Sequence, residues 1–163
     1  MSATPRPSDD LEADDDPSSK ARLRLWLRMI KVNRMIEAEL RERLRISFET
    51  TLPRFDVMSA LYRNQSGMKM SELSRSLMVS NGNVTGIVDR LTEDGMTLRE
   101  AVPGDRRAAR VKLTQRGVQE FERQADAHEG WVSELLAGLN GTESAELTAA
   151  LSGILQTNER TIP

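Results

Sequence analysis

Apolar positions fall mostly at the three- and four-residue spacing of amphipathic helices, interrupted once by two short strand-like runs. After Pro17-Ser18-Ser19, which offers an N-cap, the pattern predicts a long helix to about Ile46. Leu23, Trp26, Leu27 and Ile30 mark one stripe on it, and Met29, Val32, Ile36 and Leu40 a second. Two stripes fit a helix packed against its own domain on one side and a partner subunit on the other; one wide core-facing stripe fits them as well.

Thr51-Leu52-Pro53 opens the next helix, since threonine caps and proline is tolerated in the first turn. Phe55, Met58 and Leu61-Tyr62 face inward on it. Asn64-Gln65-Ser66-Gly67 breaks the pattern, and Ser71 is expected to cap a short helix through Leu77. Ser80 begins a further helix with Val84, Ile87, Val88 and Leu91 at i, i+3, i+4, i+7, ending where Gly95 can form a left-handed cap. Leu98 to Val102 and Arg110 to Leu113 read as two strands joined across Pro103-Gly104-Asp105-Arg106. From Thr114 a long helix is expected to about Leu139, with Val118, Phe121, Ala125, Val132, Leu135 and Leu139 spaced to suit a partner helix. Asn140-Gly141 ends it, and Thr142 is expected to cap a last helix through about Gln156. The predicted fold class is mainly α with a small β-hairpin wing.

Composition narrows the possibilities by exclusion. With no cysteine among 163 residues, disulfides, thiolate metal sites and thiol redox sensing are ruled out. No run of 18 apolar residues exists and the N-terminus lacks a signal-peptide pattern, so a cytoplasmic location without membrane contact is expected. Net charge is −2, but residues 1–16 alone carry −5, from Asp9, Asp10, Glu12, Asp14, Asp15 and Asp16 against Arg6. Residues 17–163 are left with 22 basic and 19 acidic side chains, a balance compatible with nucleic acid. Residues 1–16 show no apolar periodicity and read as a disordered acidic tail. His128, the only histidine, lacks the acidic or cysteine company of a metal site or triad and is expected on a helix surface. No paired carboxylates in a glycine-rich setting, P-loop or dinucleotide fingerprint points to an enzyme, and no cofactor is implied.

The helix from Ser80 carries the chemistry. With the Val84–Leu91 stripe turned inward, Gly82, Gly86 and Asp89 point outward. Glycine inside a helix costs about 1 kcal/mol relative to alanine, so two on one exposed face suggest that something approaches the backbone closely. Asn81, Asn83, Thr85 and Arg90 flank that face and can bond base edges or phosphates, and Ser80 leaves a helix N-terminus to meet a phosphate. The bland reading is a polar surface helix with tolerated glycines. In the hairpin, Arg106 and Arg107 follow Asp105, with Arg99 and Arg110 nearby; arginine at a hairpin tip can enter a narrow minor groove, with Asp105 holding Arg107 through a charge-assisted bond.

Leu52 to Gly117 resembles the MarR family of winged-helix regulators. The resemblance is carried by Leu52-Pro53-Arg54-Phe55, Glu72-Leu73-Ser74, Val79-Ser80 through Val84-Thr85 to Val88-Asp89-Arg90-Leu91, Gly95, Asp105-Arg106-Arg107, and Val111-Lys112-Leu113-Thr114 up to Gly117. It implies a single domain over 17–163, with dimerisation helices at 17–50 and 114–163 around a winged helix-turn-helix at 51–113. It implies a homodimer on a pseudo-palindromic double-stranded DNA operator, with the Ser80 helix in the major groove and Arg107 in the minor groove. Two departures stand out. Met78 occupies a turn position where the family often has glycine, predicting mild strain, and Asn81-Gly82-Asn83 offers no basic side chain for guanine.

The resemblance also implies a small aromatic effector that releases DNA. Leu77 through Gly86 is similar to a branch governing aromatic-acid breakdown, with hydroxycinnamoyl-CoA thioesters among its effectors. Candidate cleft residues are Trp26, Met29, Ile30, Phe55, Met58 and Tyr62, with Arg22 or Arg28 for a carboxylate or phosphate; plain core is the alternative for most of them. A winged-helix adaptor acting through protein contacts is the competing function, and it would need neither Arg90 nor Arg107.

Overall fold

The caps expected from the sequence set three of the six helix starts in a computed structural model, which describes residues 17–159. The helices are α1 (Pro17–Phe48), α2 (Leu52–Arg63), α3 (Met70–Leu77), α4 (Asn81–Glu93), α5 (Gln115–Leu135) and α6 (Gly141–Glu159). The strands are β1 (Met68–Lys69), β2 (Thr97–Val102) and β3 (Asp105–Leu113). The expected acidic tail lies outside the described residues. Thr51, Ser80 and Thr114 each accept a hydrogen bond from the backbone N–H three residues on, at 3.4, 3.4 and 2.9 Å. Each cap satisfies a donor that the first helical turn leaves without an intrahelical partner.

Two compact units divide the chain, residues 1–35 and 36–163. In the first, the described part of α1 exposes Leu23, Leu25, Trp26, Leu27, Val32 and Met35. In the second, the core gathers Leu44 from α1, Val57, Met58 and Leu61 from α2, Leu73 from α3, Val84, Val88 and Leu91 from α4, and Val111 from β3. Each side chain so buried contributes roughly 1.5–3 kcal/mol. Phe121 joins them from α5, its ring 5.4 Å from that of Phe55. α6 leaves Leu147, Leu151, Ile154 and Leu155 exposed.

The sheet is antiparallel in the order β1-β3-β2, so the hairpin gains a strand that the sequence pattern did not show. Two residues are too few for periodicity to register. β1 pairs through Met68 with Val111 and Lys69 with Arg110. The hairpin is also tighter than expected. Gly104 takes φ +84°, so Pro103-Gly104 alone turns the chain and Val102 pairs with Asp105. Asp105 and Arg106 therefore begin the second strand instead of filling the turn.

Three cap assignments need correction. Pro17, Ser18 and Ser19 already lie within α1. α3 starts at Met70, with Ser71 inside its first turn, and the Glu72 carboxylate accepts the Lys69 backbone N–H at 2.9 Å. α6 is capped by Asn140, not Thr142: Asn140 Oδ1 accepts the Glu143 N–H at 3.0 Å, and Glu143 accepts the Asn140 N–H at 2.8 Å. This reciprocal box satisfies two donors at once. α5 also ends at Leu135, a turn before the expected Leu139.

At the end of α3, Met78 adopts the left-handed conformation (φ 53°, ψ 37°) with its side chain 94% exposed. A side chain there meets its own backbone and, being exposed, gains no packing in return. Met78→Gly is expected to stabilise the protein by about 1 kcal/mol, read as a higher urea midpoint with an unchanged slope.

Candidate nucleic-acid interface

α4 is amphipathic in a way that separates packing from display. Val84, Val88 and Leu91 are fully buried and Ile87 is half-buried, while Asn81, Gly82, Asn83, Thr85, Gly86 and Arg90 are exposed. A Cβ built on Gly82 or Gly86 would meet nothing within 4 Å. No neighbour among the described residues therefore requires glycine at either place. Ser80, exposed at the N-cap, is held by its bond to Asn83 N–H.

The polar groups on this face are not equally available. The Thr85 hydroxyl donates to the Asn81 carbonyl at 2.7 Å, leaving its oxygen to act only as an acceptor. Asp89 pairs with Arg99 of β2 at 2.5 Å, tying the outer face of α4 to the wing. Arg110 donates to the Gly67 carbonyl at 2.8 Å. Thus Arg99 and Arg110, which the sequence placed among the hairpin's basic residues, serve the joints of the fold. Arg90 makes no ion pair among the described residues and stays exposed. The side chains of Asp105, Arg106 and Arg107 lie outside the described residues, though their backbone is in β3.

α5 fixes the other end of α4. Thr114 accepts the Gly117 N–H, donates its hydroxyl to the Gly95 carbonyl at 2.7 Å, and its backbone N–H donates to the Met96 carbonyl at 2.9 Å. Gly95, with φ +72°, supplies the expected left-handed residue just after α4. Gly117 is buried hard against this turn: a Cβ there would sit 2.0 Å from the Met96 carbonyl oxygen. This second glycine role, close approach inside the chain, is the opposite of that on α4.

The candidate effector residues fall in both units. Arg22, Trp26 and Arg28 are exposed in the first unit, where Met29 and Ile30 are half-buried. In the second unit Phe55 and Met58 are core side chains. Tyr62 is half-buried and donates its hydroxyl to Glu122 at 2.9 Å. A cavity of about 600 Å³ lies beside α4, lined by Thr51, Pro53, Asp56, Val57, Leu77, Val79, Asn83, Val84 and Ile87. Phe55, Met58 and Tyr62 do not line it, and no sequence pattern marked it, because its wall joins the ends of three helices.

His128 is corrected as well. It is half-buried, its ring stacked on Phe55 with centroids 4.5 Å apart, and burial lowers its pKa below the usual imidazole value.

With this geometry in place, the comparisons with known proteins agree with one another. The MarR family model matches residues 50–109, which span α2, the α3–α4 pair and most of the hairpin. A MarR family transcriptional regulator from Silicibacter pomeroyi is 34% identical, with a TM-score of 0.72 over 87% of this chain and 98% of that one. The C80S variant of MarR from E. coli, solved with operator DNA, is 28% identical, with a TM-score of 0.72 over 83% of this chain and 96% of that one. YkoM of Bacillus subtilis, described as an uncharacterised HTH-type transcriptional regulator, is 28% identical over 97 residues, 60% of this chain and 62% of YkoM. The match thus spans about three fifths of that curated relative. This chain belongs to the MarR family of transcriptional regulators.

Proposed function

We propose that the protein is a sequence-specific DNA-binding regulator that acts as a homodimer and represses transcription until a small aromatic ligand releases it. The observation that carries this reading is the outer face of α4: exposed Asn81, Asn83, Thr85 and Arg90 around two glycines that nothing among the described residues requires. The E. coli relative's complex with operator DNA supports the same use here. In the proposed complex α4 enters the major groove, Ser80 and the helix N-terminus meet a phosphate, and Arg107, oriented by Asp105, enters the minor groove. Residues 51–113 contact DNA, and 17–50 with 114–163 pair the subunits. The exposed apolar side chains of α6 suit that second task.

The cavity against Asn83, Val84 and Ile87 suits the effector, an aromatic acid or its hydroxycinnamoyl-CoA thioester. A ligand there touches the recognition helix itself, so it can favour an α4 position that does not fit the groove.

Selection of bound duplexes from a random DNA pool tests the assignment. The expected product is a pseudo-palindrome with half-sites separated by about one helical turn. Failure to enrich any motif would sink the reading and favour an adaptor acting through protein contacts.

A further inference from the structure

We propose that residues 9–16 fold back onto a basic stripe along the first half of α1 and shield it from nucleic-acid phosphates. The stripe belongs to neither the α4 face nor the cavity beside Asn83, and the proposal does not rest on the reading of α4.

The starting observation is a charge of one sign on one side of a helix. From Pro17 to Ile36, α1 carries Lys20, Arg22, Arg24, Arg28, Lys31 and Arg34, and its first acid is Glu37. At about 100° per residue, Lys20, Arg24, Arg28 and Lys31 fall within roughly 80° of arc and rise about 17 Å along the axis. All four are exposed. Arg24, Arg28 and Lys31 enter no hydrogen bond or ion pair among the described residues. Like charges three and four residues apart repel, so this stripe weakens its own helix unless something neutralises it. The second half of α1 carries its neutralising acids within the helix: Arg41 pairs with Glu37, Arg43 with Glu39 and Arg45 with Glu42. Packing does not use the stripe either. Trp26, Met29 and Ile30 lie on the opposite side, with Met29 and Ile30 half-buried.

The segment just before α1 supplies the opposite charge. Asp9, Asp10, Glu12, Asp14, Asp15 and Asp16 bring six carboxylates, and Asp16 adjoins Pro17, where α1 begins. Eight extended residues span at most about 27 Å, enough to turn at the helix end and run back to Arg28. Helical side chains lean toward the helix N-terminus, which brings Lys31 into range as well. Asp14, Asp15 and Asp16 remain near the positive end of the helix dipole. A single exposed ion pair contributes little. Tethering changes that, because it holds the carboxylates beside the stripe at about millimolar effective concentration, which any free polyanion must overcome. Residues 1–16 have no apolar pattern for folding by themselves, and charge pairing needs none. A nucleic-acid backbone is the competitor that this contact excludes, since it offers the same line of negative charge.

Because the chain has no cysteine, a nitroxide attached to Ser8→Cys labels one place only, and nuclear magnetic resonance of the full chain then tests the contact. Broadening of the Arg28 and Lys31 amide signals is expected at low salt. It should disappear at high salt, and in a neutral-tail variant carrying Asp9→Asn, Asp10→Asn, Glu12→Gln, Asp14→Asn, Asp15→Asn and Asp16→Asn together. Broadening confined to the first turn of α1, or unchanged in the neutral-tail variant, overturns the proposal. Equal broadening when label and isotope sit on different chains assigns the stripe to a second copy and overturns it too. Binding to a mixed-sequence duplex tests the shielding. The neutral tail should tighten it about tenfold and steepen its salt slope by about two. That gain should vanish in a background of Arg24→Gln, Arg28→Gln and Lys31→Gln. No gain, or a gain of equal size in both backgrounds, which net charge alone would produce, contradicts the shielding.

Discussion

A Gly117→Ala variant is expected to lose about 3 kcal/mol of folding stability, the upper end of what overpacking costs. The added carbon would lie 2.0 Å from the Met96 carbonyl oxygen and 2.9 Å from its carbonyl carbon. Both are backbone atoms, so no side chain can swing aside. That carbonyl also accepts the Thr114 N–H, and Thr114 caps α5. Any shift that relieves the clash therefore loosens the cap and the start of β2 together. Alanine's helical advantage of about 1 kcal/mol opposes the loss without cancelling it. Urea denaturation followed by circular dichroism reads the result as a lower midpoint; an unchanged midpoint would mean that α5 does not sit this close to Met96.

Arg107→Ala should reduce affinity for the selected operator by about 1–3 kcal/mol, roughly five- to 150-fold, with the unfolding midpoint unaltered. Arg99 is held by Asp89 and Arg110 by the Gly67 carbonyl, so neither substitutes for a wing arginine without breaking a joint of the fold. Pro103-Gly104 makes the turn by itself, so Arg107 follows closely after it on β3. Binding titrated against salt separates the possible roles. A minor-groove contact predicts both the affinity loss and a salt slope smaller by about one. Equal affinity and slope in the variant would remove Arg107 from the interface.

What could be read in the sequence was whatever a short stretch of residues decides. Thr51, Ser80 and Thr114 act on the N–H groups three residues away, and Val84, Val88 and Leu91 repeat within one helix, so α2, α4 and the start of α5 were legible. The outward glycines of α4 were legible for the same reason. Contacts between distant segments decided the rest. β1 exists because Met68 and Lys69 meet Val111 and Arg110, more than forty positions away. His128 lies inward because Phe55 of another helix supplies a ring to stack on. Arg99, one of the basic residues near the hairpin turn, is held by Asp89 of another element, a pairing that no local pattern shows. The sequence could not distinguish Gly117, where packing forbids a side chain, from Gly86, where nothing among the described residues does; the fold separates them at once.

That difference supplies the most direct test of the central claim, that α4 is the surface that reads DNA. The double variant Gly82→Ala/Gly86→Ala has open space for both new carbons and should gain roughly 1 kcal/mol of stability in the free protein. Fluorescence anisotropy on the selected duplex at physiological salt is then the deciding measurement. At least about a tenfold loss of affinity, from a protein that melts higher than the parent, is the result predicted for a groove that must approach this backbone. Equal or tighter binding by the stabilised variant would contradict it and place the DNA-reading surface elsewhere.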